Sequence, residues 1–274
     1  MKISIITITY NSEKTLEDTI QSVARQNYPD LEYIIVDGGS KDATLDIVKK
    51  YSNVVTKWIS EPDKGISDAF NKGIKIASGE LIGIINSDDM LTDNSLNIIA
   101  KNIKPEVDVI YGNAIMFGGR EANYRCKPAD SLEVMRKRMA VVHPATFVKK
   151  SAYDKYGTFD LKYKCQMDRD LLLRMYMAGA KFQYLNEDLA MMRLGGVNQR
   201  TYVKQTVPEG IEISIKNGMK PMEAHMLGMK SIARFKVVNF IRKIPGSESI
   251  RKKFHRSEER RVGKECRSRW SPYH

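Results

Sequence analysis

The first 112 residues alternate strand-like apolar runs with stretches that are apolar on one face only. "ISIITIT" (3–9) and "LEYIIVD" (31–37) are continuous β-branched runs, and "VVTKWIS" (54–60), "LIGII" (81–85) and "VDVIYG" (107–112) add three more candidate strands. Between them Leu16, Ile20 and Val23 recur at helical spacing, and "TLDIVKKY" (44–51) reads as a second helix. Ile66, Ala69, Phe70, Gly73, Ile74 and Ala77 mark one face of a third. Strands apolar on both sides need helices on both sides, so the pattern predicts an α/β fold with a mostly parallel, Rossmann-like sheet.

Such sheets bind ligands beyond the carboxyl ends of their strands. The residues at those ends are Thr9-Tyr10-Asn11, Asp37-Gly38-Gly39-Ser40, Glu61-Pro62-Asp63 and Asn86-Ser87-Asp88-Asp89. Four strand ends with polar or acidic clusters, all predicted on one edge, form a candidate site. Its acids bear on which chemistry fits. The loop after the first strand, "TYNSEKT", contains no glycine, which disfavours a dinucleotide fingerprint. Walker A is also absent. Acids do not hold phosphates directly, but they hold a divalent cation that does. Mg²⁺ takes one or two carboxylates and fills its octahedron with water and substrate phosphates, and Mn²⁺ favours the same oxygen ligands. Asp88 and Asp89 suit that role, Asp37 suits a hydrogen bond to a base or ribose, and Tyr10 offers a face for stacking.

Beyond residue 113 the periodicity loosens. "AVVHPATFVKK" (140–150) predicts a strand, "DRDLLLRMYMAG" (168–179) a helix, and "FQYLN" and "LAMMRL" two short strands. Two helices are predicted over roughly 202–217 and 221–243. Residues 1–200 carry 28 basic and 26 acidic residues, whereas 201–255 carry 11 and 4, so the positive charge belongs to the C-terminal segment. Residues 256–274 have no hydrophobic period. They look like a translated sequencing adapter and are expected to be a disordered, foreign tail. Cys126 and Cys165 are too few and too separated for a disulfide framework or a CxxC metal site, which fits a reducing cytoplasm. No apolar run reaches the length of a membrane span.

With these residues in view, the chain resembles glycosyltransferase family 2, of the fold type called GT-A. The resemblance runs through "SIITITYNSEKTLEDTIQSVARQNYPDLEYIIVDGGSKDAT" and "SEPDKGISDAFNKGIKIASGELIGIINSDD". It continues through "HPATF", "GTFD", "MDRDLLLRMYMAGAKF" and "RLGGVN" into the non-processive branch that builds bacterial surface polysaccharides, covering roughly 3–200.

The resemblance implies an inverting transfer from a nucleotide-sugar donor, UDP-linked by family habit, to a hydroxyl of a glycan or lipid-linked acceptor. It implies that Thr9, Tyr10 and Asp37 hold base and ribose, that Asn11 is also donor-binding, and that Asp63, Lys64 and Asp68 line the same pocket near the diphosphate. It places Asp88 and Asp89 on the metal motif, where Asn86 stands in place of a first acid. Asp89 is the expected direct ligand, with Asp88 close behind. It makes Asp168 the base, in preference to Asp170, at a predicted helix start where the dipole favours negative charge.

His143 could meet the acceptor or serve as a structural histidine. Arg193 and Arg200 could close over the phosphates on a Gly195-Gly196 hinge, or be a solvated pair beside a turn. The basic segment 201–255 mixes Met229, Ile232, Phe235, Val238 and Ile241 with cations. It could lie on an anionic membrane surface, making the enzyme peripheral on the inner face, or pack on the catalytic domain. Nucleic acid fits poorly, since no reader motif accompanies the charge. A non-catalytic nucleotide-sugar-binding or membrane-docking subunit and a sugar-phosphate nucleotidyltransferase are the alternatives. "TYNSEKT" lacks the Gly- and Arg-rich loop that the latter needs.

Overall fold

Strand β1 (Ile3–Thr9) pairs in parallel with β2 (Leu31–Asp37) on one side and with β4 (Leu81–Ile84) on the other, and β2 pairs with β3 (Lys57–Ser60). These relations come from a computed structural model, which describes residues 1–118, 123–194 and 201–243. The three connections between these strands carry α1 (Leu16–Ala24), α2 (Thr44–Lys50) and α3 (Ile66–Ile76). The register sets Thr9 beside Asp37 and Asp37 beside Ser60, so the predicted strand ends do line one edge.

The sheet then turns mixed. After β4 come β5 (Met90–Leu91), α4 (Ser95–Asn102) and β6 (Val109–Phe117), then β7 (Tyr124–Cys126) and β8 (Thr146–Lys149). Helices α5 (Lys150–Tyr156) and α6 (Met167–Met177) lead to β9 (Phe182–Arg193). The order across the sheet is β3-β2-β1-β4-β8-β6-β9-β5, with β7 paired to β6. Strand β8 is antiparallel to both β4 and β6, while β9 runs parallel to β6.

Alternate residues of each buried strand feed two cores. Ile34 and Val36 of β2 join Phe70, Ile74, Leu171 and Leu172 under α3 and α6, and Tyr33 and Ile35 join Leu16, Ile20 and Leu96 under α1 and α4. Burying both faces is what demanded the unbroken apolar runs. Gly73 lets α3 sit close on the sheet, since a Cβ there would meet Ile6 Cγ2 at 2.5 Å.

Several elements depart from expectation. The strand predicted over 140–150 begins only at Thr146, because Pro144 sits in a 3₁₀ turn at His143–Ala145. The third strand starts at Lys57, since a turn in which Val54 N–H bonds Tyr51 C=O takes up its first residues. "FQYLN" and "LAMMRL" form one strand, β9, whose irregularity is absorbed by register shifts around Asn113.

A π-helical turn at Tyr202–Thr206 precedes α7 (Val207–Lys216) and α8 (Pro221–Lys243). Residues 256–274, Arg200, Gly195 and Gly196 lie outside the described residues.

Candidate active site

The first part of the edge is organised around Asp37, which is fully buried. Its Oδ2 accepts from Gly39 N and Ser40 N at 3.0 Å each and from Ser60 Oγ at 2.6 Å, and its Oδ1 accepts from Ser40 Oγ. Its carboxylate therefore holds the loop 38–40 together, with Gly39 at φ +85°. Asp37 is expected to hold a base or ribose, and both its oxygens also accept hydrogen bonds within the protein. Asn11, itself left-handed at φ +49°, locks the neighbouring loop by accepting from Lys41 N at 2.8 Å and donating its own N–H to Ser40 Oγ.

What faces outward here is Tyr10, 62 % exposed, and the carboxylate of Asp63. Both converge on the place a Gly38 side chain would fill, for a Cβ there would lie 2.5 Å from Asp63 Oδ2 and 3.4 Å from Tyr10 Cδ2. Thr9 Oγ1 is buried beside them with no partner among the described residues. Asp63 Oδ1 accepts from Gly65 N at 2.8 Å, leaving Oδ2 toward this space. Asp68, three residues into α3, reaches back to the backbone N–H of exposed Lys64 at 3.0 Å, as a residue in the first turn of a helix often does. Lys72 Nζ ties the same loop down through Glu61 at 2.8 Å and Pro62 C=O at 3.0 Å.

Asn86-Ser87-Asp88-Asp89 follows β4 directly. Asp89 is 2 % exposed. Its Oδ1 accepts from Arg193 N at 2.9 Å and its Oδ2 from Asn86 Nδ2 at 3.1 Å. Burial, helped by the adjacent Asp88 charge, pushes its carboxyl up to about 7 against those hydrogen bonds. Asp88 is half-buried, and burial raises its carboxyl too. No hydrogen bond from a described side chain reaches the Asp88 carboxylate; the contact to this residue is Arg193 Nε on its backbone oxygen, at 3.3 Å. The Arg193 guanidinium lies over the Phe117 ring at 4.6 Å and 4.0 Å from Asp18, so it is anchored rather than solvated. Ser12 Oγ and Ser87 Oγ, 2.8 Å apart, join the β1 and β4 loops.

These residues fit a hard divalent cation. Two adjacent acids whose proton affinity is raised by burial, and in Asp89 also by the Asp88 charge, would be relieved by a nearby positive charge. Mg²⁺ or Mn²⁺ needs only one or two such carboxylates. Among the described residues no three His, Cys, Asp or Glu side chains converge, so water and substrate oxygens would complete the sphere.

The third component is the start of α6. Asp170 is fully buried and bonded to Arg174 Nε at 2.8 Å and Lys216 Nζ at 3.3 Å, which fixes it as a structural acid. Asp168 is half-buried and takes one hydrogen bond, from Arg169 N to Oδ1 at 2.8 Å. It shares a cavity of about 10 Å³, room for roughly one water, with His143 and with Ile84, the last residue of β4. His143 is stacked near Phe70, centroids 5.3 Å apart, and its Nε2 is buried without a partner among the described residues. Burial lowers its pKa, with the Asp168 charge pulling the other way.

How this helix start is held was barely legible in the sequence. Glu209 of α7 accepts from the backbone N–H groups of Lys164, Cys165 and Gln166 at 2.9 Å each. Arg169, 1 % exposed, donates to the carbonyls of Met135, Arg136 and Gly210 and to Ser214 Oγ, at 2.7–3.0 Å. Burial lowers its pKa to about 10, yet it stays a cation at neutral pH. The C-terminal segment thus buttresses the helix that carries Asp168. The only trace in sequence was one arginine between two aspartates.

Known proteins share this architecture. The model of the family described as "Glycosyl transferase family 2" matches residues 4–161. A "PGL/p-HBAD biosynthesis glycosyltransferase" of Mycobacterium bovis is 29% identical over 225 residues, covering 79% of this chain and 86% of that one. The crystal structure of S. aureus TarS 1-349 in complex with UDP-GlcNAc superposes with a TM-score of 0.63 at 19% identity, over 91% of this chain and 78% of that one. The mannosyltransferase PcManGT from Pyrobaculum calidifontis, in complex with GDP-Man and Mn2+, gives 0.64 at 17% identity, over the same shares.

Proposed function

The chain belongs to glycosyl transferase family 2, and from that premise we propose that it transfers a sugar, with inversion, from a nucleotide-sugar donor to an acceptor hydroxyl. The donor is UDP-linked and the acceptor is a glycan or a lipid-linked sugar of cell-surface polysaccharide synthesis. One observation carries the reading. Of the acids at this site, Asp37, Asp89 and Asp170 have both oxygens engaged inside the protein, while Asp88, Asp168 and Asp63 Oδ2 remain available among the described residues. A half-buried acid with a free oxygen is suited to a ligand.

In this reading Tyr10, Asp63 and Thr9 receive the base and ribose over Gly38, and Asp37 and Asn11 shape that surface without touching it. Asp88 is the direct cation ligand, and Asp89 fixes the loop and adds charge behind it. This reverses the order expected from sequence. The cation, when bound, neutralises the diphosphate as it departs. Asp168 Oδ2 takes the proton of the acceptor hydroxyl as that oxygen attacks the anomeric carbon. The bond from that carbon to the diphosphate oxygen breaks, and the electron pair leaves with the nucleotide. His143 and Asp168 line one water-sized space, so the imidazole borders the carboxylate without bonding it. Arg193 anchors the metal loop.

The test is nucleotide release from a panel of nucleotide sugars, with and without Mn²⁺ and with lipid extract as acceptor source. Metal-dependent turnover with one donor is expected. Absence of turnover with every donor would overturn the reading.

A further inference from the structure

Helix α8 carries an apolar stripe that nothing in the described chain covers. Met222 is 75 % exposed, Met229 63 % and Phe240 67 %, with Met226, Ala233 and Val237 exposed between them. At 100° per residue all six fall within about one third of the helix circumference, and they extend over roughly 27 Å at 1.5 Å per residue. Of the apolar residues singled out in the sequence, Met229 lies on this stripe, whereas Ile232, Phe235 and Val238 lie on another face. Ile232, Phe235 and Val238 are half-buried, Phe235 stacks on Tyr202 at 4.6 Å, and buried Ala224 and Gly228 meet α7. Helix α8 is therefore apolar on two sides, one packed and one bare.

Charge says what the bare side meets. Lys230 and Arg234 flank the stripe on one edge and Lys236 on the other, all three exposed. Long cationic side chains beside an apolar stripe let their stems bury while their charges stay in a polar layer. Segment 201–255 has a net charge of +7. A second copy would set like charges against each other. Among the described residues no helix is long and apolar enough to cross a membrane.

We propose that the outer face of α8 docks on an anionic lipid bilayer, with Met222, Met226, Met229, Val237 and Phe240 in the acyl boundary and Lys230, Arg234 and Lys236 at the headgroups. This docking is independent of the sugar chemistry. Helix α8 also walls a cavity of about 990 Å³ whose lining includes Gln166, Val207, Leu227, Lys230, Arg234 and Val237.

The experiment is co-sedimentation of the full chain with vesicles of phosphatidylglycerol and phosphatidylcholine, against phosphatidylcholine alone. Hydrogen exchange on the wild type and the sedimentation state in solution are measured beside it. Expected are binding to the anionic vesicles that weakens with salt, new protection over 222–240, and a fall of about tenfold or more in partition for Met226→Asp with Met229→Asp. Lys230→Glu with Lys236→Glu is expected to lose several-fold on anionic vesicles. Any of three results overturns the proposal: no vesicle binding by the wild type, binding that the α8 variants leave unchanged, or a dimer that the Met226→Asp, Met229→Asp pair dissociates.

Discussion

Arg193 donates its backbone N–H to Asp89 Oδ1 at 2.9 Å across 104 residues of sequence. That bond joins the end of β9 to the loop after β4 and divides the labour of two adjacent acids. Asp89→Ala leaves the Arg193 N–H and the Asn86 amide without their acceptor, and is expected to cost about 1–3 kcal/mol of stability. Asp88→Asn breaks no internal bond, so thermal denaturation should match the parent while the Mn²⁺ dependence of donor affinity in calorimetry disappears. Unchanged metal dependence in Asp88→Asn would return the ligand role to Asp89.

Asp168→Asn should keep donor affinity and lower transfer by about 10²–10⁴-fold, the usual contribution of a positioned base. Asp170→Asn should do the reverse in emphasis, weakening the ion pairs to Arg174 and Lys216 and lowering the melting temperature. Single-turnover assays and thermal scans on the two variants separate these outcomes.

Arg169→Met would remove the side-chain donor to the Met135 and Arg136 carbonyls, while Ser214 Oγ and the Gly210 carbonyl keep their bond to each other, an expected loss of about 2–3 kcal/mol in denaturant titration. Arg169→Lys keeps the charge but cannot span the four acceptors, so it should recover only part of that loss.

Glu32 gives a pH dependence. Burial by itself would raise its carboxyl, but Lys57 Nζ, Ser4 Oγ and the Ser78 N–H and hydroxyl bring it down to about 2 from 4.5. A depressed carboxyl stabilises the fold fully above its unfolded value. That contribution fades as pH falls from about 4.5 toward 2, and it amounts to roughly 2–3 kcal/mol. Acid titrations of the parent and of Glu32→Gln should converge below this window and diverge above it.

Gly38→Ala places a methyl against the Asp63 carboxylate and the Tyr10 ring. Donor affinity should fall at least about tenfold while stability changes by less than about 1 kcal/mol, measured by nucleotide titration and thermal scan.

The parallel half of the sheet was readable because burial on two faces leaves no freedom in composition; Ile3–Thr9 and Leu31–Asp37 begin and end where their apolar runs do. The mixed half was not. Strand β5 is two residues long, and α4 and α5 are short helices that periodicity did not single out. At the site, strand ends revealed the acids but not their states. Whether Asp88 or Asp89 is available depends on a backbone N–H from β9, and whether Asp168 or Asp170 is available depends on Lys216 of α7. Such partners are set by tertiary folding and leave no mark in the local sequence. Glu32, a lone acid inside an apolar strand, was a visible signal that passed unused.

The clamp on Asp37 has a thermodynamic side. Gly39, Ser40 and Ser60 all donate to one buried carboxylate, so the loop beside Tyr10 has little motion left to surrender. Its conformational entropy is lost once, when the chain folds, and not again at each arrival of a ligand. Capture at this end of the site is then a landing on a finished surface, quick and rigid, with any slow rearrangement left to the far side of the cleft.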